Sequence, residues 1–205
     1  MYIRPPRFIK RLFPSLIWNF ADEDVGKSVF LTFDDGPSPD VTPWVLDLLD
    51  EYSAKATFFC LGKNVEQYPD VYNEIIARGH AVGSHSYSHQ KGWGMSVGRY
   101  VEDYNFAEAF IQSNLLRPPY GRITPRQAKV LSERYKIVMW EIISRDYSRA
   151  ISRKQCLKNV VKYVRAGSIV VFHDSEKAER NLRYALPRTL QFLKENGYEC
   201  RRIEQ

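Results

Sequence analysis

The sequence predicts a single α/β domain on a mostly parallel sheet of about seven strands. Two observations carry that expectation. From residue 28 onward, short β-branched and aromatic runs alternate with segments of helical spacing. Chemically capable residues fall where those runs stop, and both an open doubly wound sheet and an incomplete barrel collect such residues at the carboxyl ends of their strands. A length of 205 residues suits one domain with a sizeable core, and 44% hydrophobic, 26% charged and 14% aromatic content exclude a disordered or fibrous chain.

Taken in order, residues 1–27 read as an N-terminal arm and residues 28–205 as the folded domain, for which the resemblance given below implies a catalytic role. In "MYIRPPRFIKRLFPSLIWNF" the apolar residues are interrupted by Lys10, Arg11 and Pro14, so no run reaches the length of a signal sequence or a membrane span. Export by the usual secretory route is not indicated, and a cytoplasmic location is the default expectation. Leu12, Phe13, Leu16, Ile17 and Trp18 are expected to pack the arm on the domain. The strands are read from "SVFLTF", "ATFFCLG", "HAVGSH", "LLRPP", "KIVMWEI", "SIVVFHD" and "YECRRI". Between them, Val97, Tyr100, Val101, Tyr104, Ala107 and Ile111 share one face at helical spacing, as do Leu182, Ala185, Leu186, Leu190 and Leu193. Gly79, Gly167 and Gly197 follow such segments, where glycine terminates helices.

A net charge of +6 is modest and spread along the chain. Its mild clusters, Arg4, Arg7, Lys10 and Arg11, then Arg145, Arg149, Arg153 and Lys154, are what a solvated face explains, and no nucleic-acid partner is expected. The three cysteines, Cys60, Cys156 and Cys200, are odd in number and far apart, which points to neither a disulfide framework nor a cysteine metal site.

The candidate site grows from the strand ends. "FLTFDDGP" runs a strand into Asp34 and Asp35 and then into a Gly-Pro turn. "HSYSH" sets His85 and His89 four apart; such a pair alone has a structural explanation, but with Asp35 it makes a two-histidine, one-carboxylate set with coordination positions left open. That set suits catalytic zinc and equally non-haem iron. Asp34 is then placed to act as a base beside the ligand. Arg117 in "RPPYG" could hold Asp34 ionised through a bidentate contact, and the stiff Pro118-Pro119 backbone could present the Tyr120 amide to an oxyanion. His173 closes "IVVFH" and could serve as general acid, with Asp146 as partner of its imidazolium. Asp174 is expected to cap the following turn, and His80 to be structural. Tyr87, Trp93 and Tyr147 are aromatic side chains near the same predicted rim, candidates for stacking on the rings of a ligand.

In that order, "TFDDGP", "HSYSH", "RPPY", the "RDY" after "MWEIIS", and "VVFH" resemble the five motifs of the polysaccharide deacetylase family, carbohydrate esterase family four. The resemblance covers nearly the whole chain. It implies a distorted, incomplete (β/α) barrel and metal-dependent removal of acetyl groups from N-acetylated sugars, such as N-acetylglucosamine units of a glycan or oligosaccharide. It further implies Asp34 as base, Asp35, His85 and His89 as metal ligands, Arg117 as the residue orienting the base, Tyr120 at the oxyanion, His173 as acid and Asp146 as its tuning carboxylate. One divalent metal is implied, zinc by expectation, with cobalt, nickel, manganese or iron as alternatives. Three positions depart from the family pattern: Ile143 in place of an acid, Tyr147 in place of tryptophan and Val171 in place of leucine. They bear on the walls of the acetyl pocket. The alternatives are hydrolysis of a small non-sugar amide on the same fold, and a non-catalytic carbohydrate-binding module.

Overall fold

Strand Ser28–Asp34 (β1) is buried along its whole length, as a strand covered on both faces must be. The computed structural model in which it lies describes residues 3–204; residues 1, 2 and 205, and the side chain of Arg7 from the first basic cluster, lie outside the described residues. Before β1 stands a short helix, α1 (Arg7–Leu12). After it come α2 (Thr42–Glu51), β2 (Ala56–Cys60), α3 (Gly62–Gln67), α4 (Pro69–Ala77), β3 (Ala81–Ser84), α5 (Val97–Ala107) and β4 (Leu115–Leu116). A 3₁₀ turn (Pro119–Gly121), α6 (Pro125–Leu131), β5 (Lys136–Ile137), β6 (Ile142–Ile143), α7 (Arg153–Val161), β7 (Ile169–His173), α8 (Glu176–Glu195) and β8 (Glu199–Cys200) complete the chain.

The strands pair in the order β5-β4-β3-β2-β1-β7-β6, every neighbour parallel, with β8 joined to the start of β1. This is a curled, distorted and incomplete barrel in a single α/β domain. Alternation along each strand divides the core in two. Leu31, Phe33, Val170 and Phe172 pack with Leu46 and Leu49 of α2 and with Leu182, Ala185, Leu186, Leu190 and Leu193 of α8. On the opposite face, Phe30, Ile169 and Val171 join Tyr100 and Tyr104 of α5, Ala128 and Leu131 of α6, and Leu16 and Trp18.

Two expectations are corrected here. "KIVMWEI" is not one strand but two, β5 at one end of the sheet path and β6 at the other. Residues 138–141 cross the gap between them, and their backbone groups are satisfied elsewhere. Val138 N–H donates to Leu116, Met139 N–H to Ile17 and Glu141 N–H to Ile169, while the carbonyls of Val138 and Met139 accept from Arg117. Glu141 is fully buried, with Arg4, Arg165 and Ser168 around its carboxylate. Gly167 does not end a helix either: α7 stops at Val161, and Gly167 turns the chain into β7 with its would-be Cβ 2.5 Å from the Ala21 nitrogen. Gly79 and Gly197 do follow helix ends, at φ +77° and +69°.

Residues before β1 run along this gap. Ile17 bridges Val138 in parallel and Asn19 bridges Ser168 in antiparallel sense, and the indole N–H of Trp18 donates to the Phe13 carbonyl at 3.2 Å. The cysteines are free, Cys60 and Cys156 buried and Cys200 half-buried. Among the described residues no helix is long and apolar enough to cross a membrane.

Candidate metal centre and catalytic set

Parallel register brings the separate motifs to one rim. Asp34 is the Cα partner of His173 and Ser84 that of Leu116, so the residues one step on, His85 and Arg117, also emerge side by side. Asp35 leaves the strand at φ +77°, the left-handed region that a side chain adopts at a cost, and this turn separates its carboxylate from that of Asp34. Ser86, His89, Tyr120 and Arg145 share positive φ in the loops around the site. The turn also needs Gly36, because a Cβ there would sit 2.1 Å from Asp174 Oδ2.

Asp35, His85 and His89 each present a ligand atom, all within 4.8 Å of one another. Asp35 Oδ1 lies 3.1 Å from His89 Nε2 and 3.7 Å from His85 Nε2, yet it is buried with no hydrogen-bond partner. A buried anionic oxygen left unpaired between two imidazole nitrogens fits a divalent cation. His85 Nδ1 lies 2.8 Å from the Arg117 carbonyl, an acceptor, so it carries the proton and leaves Nε2 with its lone pair toward Asp35. Burial brings His85 down to about 4, which keeps the ring neutral, with Asp34 and Asp35 opposing. Burial pushes the Asp35 carboxyl up, but His89, His173 and His85 together hold it well below the usual carboxylate range.

Asp34 is nearly buried and accepts from Arg117 Nη1 at 2.7 Å. The expected bidentate contact is not formed. Arg117, fully buried, spends Nη1 on Thr32 Oγ1 as well and turns Nε and Nη2 to the Val138 and Met139 carbonyls, while its guanidinium stacks 4.1 Å from the Phe59 ring centroid. The carbonyls of the gap-crossing segment need donors, and Arg117 is the buried side chain that reaches them.

Across the rim, Asp146 holds His173 twice: Oδ1 lies 2.8 Å from His173 Nδ1, and Oδ2 accepts the His173 backbone N–H at 2.8 Å. Burial alone would lower the His173 pKa, but the Asp146 carboxylate, with Asp35 and Asp34 beyond it, raises it to about 9. Asp174 caps nothing. It is buried, accepts from Thr42 Oγ1 at 2.6 Å, and burial raises its carboxyl to about 7 against that hydrogen bond.

A cavity of about 920 Å³ opens on the set, with Asp34, Asp35, His85, His89 and His173 in its wall. Tyr120 is exposed, its ring 4.6 Å from that of His89, and Tyr147 meets His173 edge-on at 4.9 Å. Ile143 and Val171 line the same cavity, as does the exposed Trp93. Tyr87 does not: its hydroxyl donates to Glu66 and its ring packs on Phe106 and Phe110. His80 also lies apart, accepting the Ala56 N–H on Nδ1.

Sequence reasoning missed the residues that hold this set in place. Tyr104 donates to the Arg117 carbonyl, Asn64 to the Asp35 carbonyl, and Asn181 to the carbonyls of Asp146 and Ser148. Tyr104 sits in an apolar helical stripe that reads as core, and nothing local marks the two asparagines.

Comparison with known proteins follows the same lines. A family model described as polysaccharide deacetylase matches residues 21–135. A peptidoglycan-N-acetylglucosamine deacetylase of Bacillus cereus is 34% identical over 180 residues, covering 84% of this chain and 84% of its own. The peptidoglycan-N-acetylglucosamine deacetylase PgdA of Listeria monocytogenes is 35% identical over 188 residues, 87% of this chain but 38% of its own length. Among solved structures, the Bc1960 peptidoglycan N-acetylglucosamine deacetylase superposes with a TM-score of 0.83 at 28% identity, covering 92% of this chain and 91% of that one.

Proposed function

Because this chain belongs to the polysaccharide deacetylase family, we propose that it hydrolyses the acetamido group of an N-acetylglucosamine-type unit with the help of one divalent cation. The observation that carries the reading is the pairing of Asp34 with His173 beside three ligand atoms within 4.8 Å of one another. Asp35, His85 and His89 would hold the cation, zinc being the ion their donor set suits well. Once bound there, it supplies Lewis acidity that makes water more acidic and the acetyl carbonyl more electrophilic.

The chain's own groups do the rest. Asp34, fixed by Arg117, takes a proton from the attacking water as its oxygen bonds to the acetyl carbon. The Tyr120 backbone amide stabilises charge developing on the carbonyl oxygen. When the carbon–nitrogen bond breaks, His173 gives its proton to the departing nitrogen, and acetate and a free amino sugar result. Asp146 keeps the imidazolium oriented and charged until that transfer.

The test is acetate release from N-acetylglucosamine oligomers and peptidoglycan fragments, with metal content measured alongside. The expected result is release that falls with His85→Ala together with the bound metal. Release at the parental rate by a metal-free His85→Ala protein would overturn the reading.

A further inference from the structure

We propose that the cavity beyond the catalytic residues is a binding site for an apolar chain carried by the substrate sugar. The proposal rests on the deacetylase reading for the amide at its polar end and deepens it by naming the class of substrate. One end of the cavity is the ring of Asp34, Asp35, His85, His89 and His173. Beneath His173 the wall turns apolar through Val171 and its strand neighbour Ile143, and it continues to Met139 and the ring of Trp140, whose buried Nε1–H has no partner, in the segment that crosses the barrel gap. The far wall is the chain before β1: Ile9, Phe13, Leu16 and Trp18.

Size and chemistry select the occupant. The whole cavity, catalytic end included, has a volume of about 920 Å³, in the range that holds a drug-sized ligand and more than a single N-acetylated sugar unit requires. Sugar hydroxyls placed among Leu16, Trp18, Ile143 and Met139 would lose water without gaining partners, whereas methylenes gain from leaving water. The wall is also held in place, since Ile17 N–H donates to Ile137, Met139 N–H donates to Ile17, and Trp18 fixes the Phe13 carbonyl. The helix that turns Ile9 to the cavity leaves Phe8 and Leu12 63% and 69% exposed on its other faces.

The chain can be borne in two places, on the anomeric oxygen or within the acyl group, and the chemistry that binds it is the same. Titration calorimetry with methyl, butyl, hexyl and octyl N-acetyl-β-glucosaminides forms one arm, and methyl glucosaminides bearing N-butanoyl or N-hexanoyl groups form the other. Affinity is expected to tighten roughly fourfold per added methylene in one arm, until the cavity is full. Dependence in the first arm places the chain at the anomeric position, and in the second on the nitrogen. Phe13→Asp, or Ile9→Asp should the first variant not fold, is expected to flatten that dependence. Affinity independent of length in both arms overturns the proposal, as does a dependence that survives the aspartate variant. Release of the acyl group as its carboxylate, acetate in the first arm and butanoate or hexanoate in the second, separates the two readings: length-dependent binding without hydrolysis sinks the deacetylase reading alone, and hydrolysis with flat binding sinks the chain site alone.

Discussion

Asp34 and Asp35 are neighbours in the chain with separate surroundings, and the contrast comes from one backbone turn. Asp34 finishes the strand and meets Arg117 at 2.7 Å; Asp35, at φ +77°, faces His85 and His89. Asp34→Asn keeps shape and polarity while removing the proposed base, so turnover is expected to fall roughly 10²- to 10⁴-fold with metal content unchanged. Parental turnover in that variant, checked by acetate release and elemental analysis, would remove Asp34 from the chemistry. His173 makes a second prediction. It donates its proton only when charged, and the charged fraction falls as pH rises through about 9. Turnover should therefore persist to that range and decline above it. Asp146→Asn takes away the carboxylate that raises the pKa, so the decline should move to lower pH; a pH–rate profile with an unmoved basic limb would refute the pairing. That these residues come together at one rim was legible in the motifs, whereas the single contact between Arg117 and Asp34 was not, because it depends on carbonyls of residues 138 and 139.

At the scale of elements, the turn joining β1 to α2 is held by contacts from the far end of the chain. Asp174 accepts from Thr42 Oγ1, which itself accepts the Ser38 N–H, and Gly36 leaves room for the Asp174 carboxyl. Gly36→Ala would place a Cβ 2.1 Å from a carboxylate oxygen that is fully buried and cannot swing away. The expected result is a loss of about 1–3 kcal/mol in denaturant stability together with weaker metal retention, because Asp35 is the adjoining residue. Unchanged values of both would show that the turn absorbs the methyl group. Two strands of the sheet illustrate the limit of periodicity. "SIVVFHD" reads correctly because it is short, β-branched and buried on both faces. "KIVMWEI" has the same local character, yet it supplies two edge strands, since its neighbours in space and not its propensity decide where pairing stops.

For the molecule as a whole, the charge of +6 is scattered along the chain, with Lys63, Arg122 and Lys177 among the residues lining the cavity. Exposed charges are screened beyond about 10 Å at 0.1 M salt, so KM for a neutral glycan should change by less than about threefold between low and high ionic strength. A steep salt dependence would show that clusters such as Arg149, Arg153 and Lys154 engage the substrate. By itself, the sequence determined what is periodic or contiguous: the strand and helix rhythm, the ends of β1 and β7, the His85 and His89 spacing, and the two adjacent carboxylates. Only the tertiary structure decided how the barrel gap is crossed, where Arg117 sends its donors, and that the residues before β1 form a wall of the candidate cavity. The physical reason is distance along the chain. Arg117 bonds Thr32 across 85 residues, and Arg4 reaches Glu141 across 137. A buried polar group takes whichever partner the fold brings within reach, and local sequence carries no record of which partner that is.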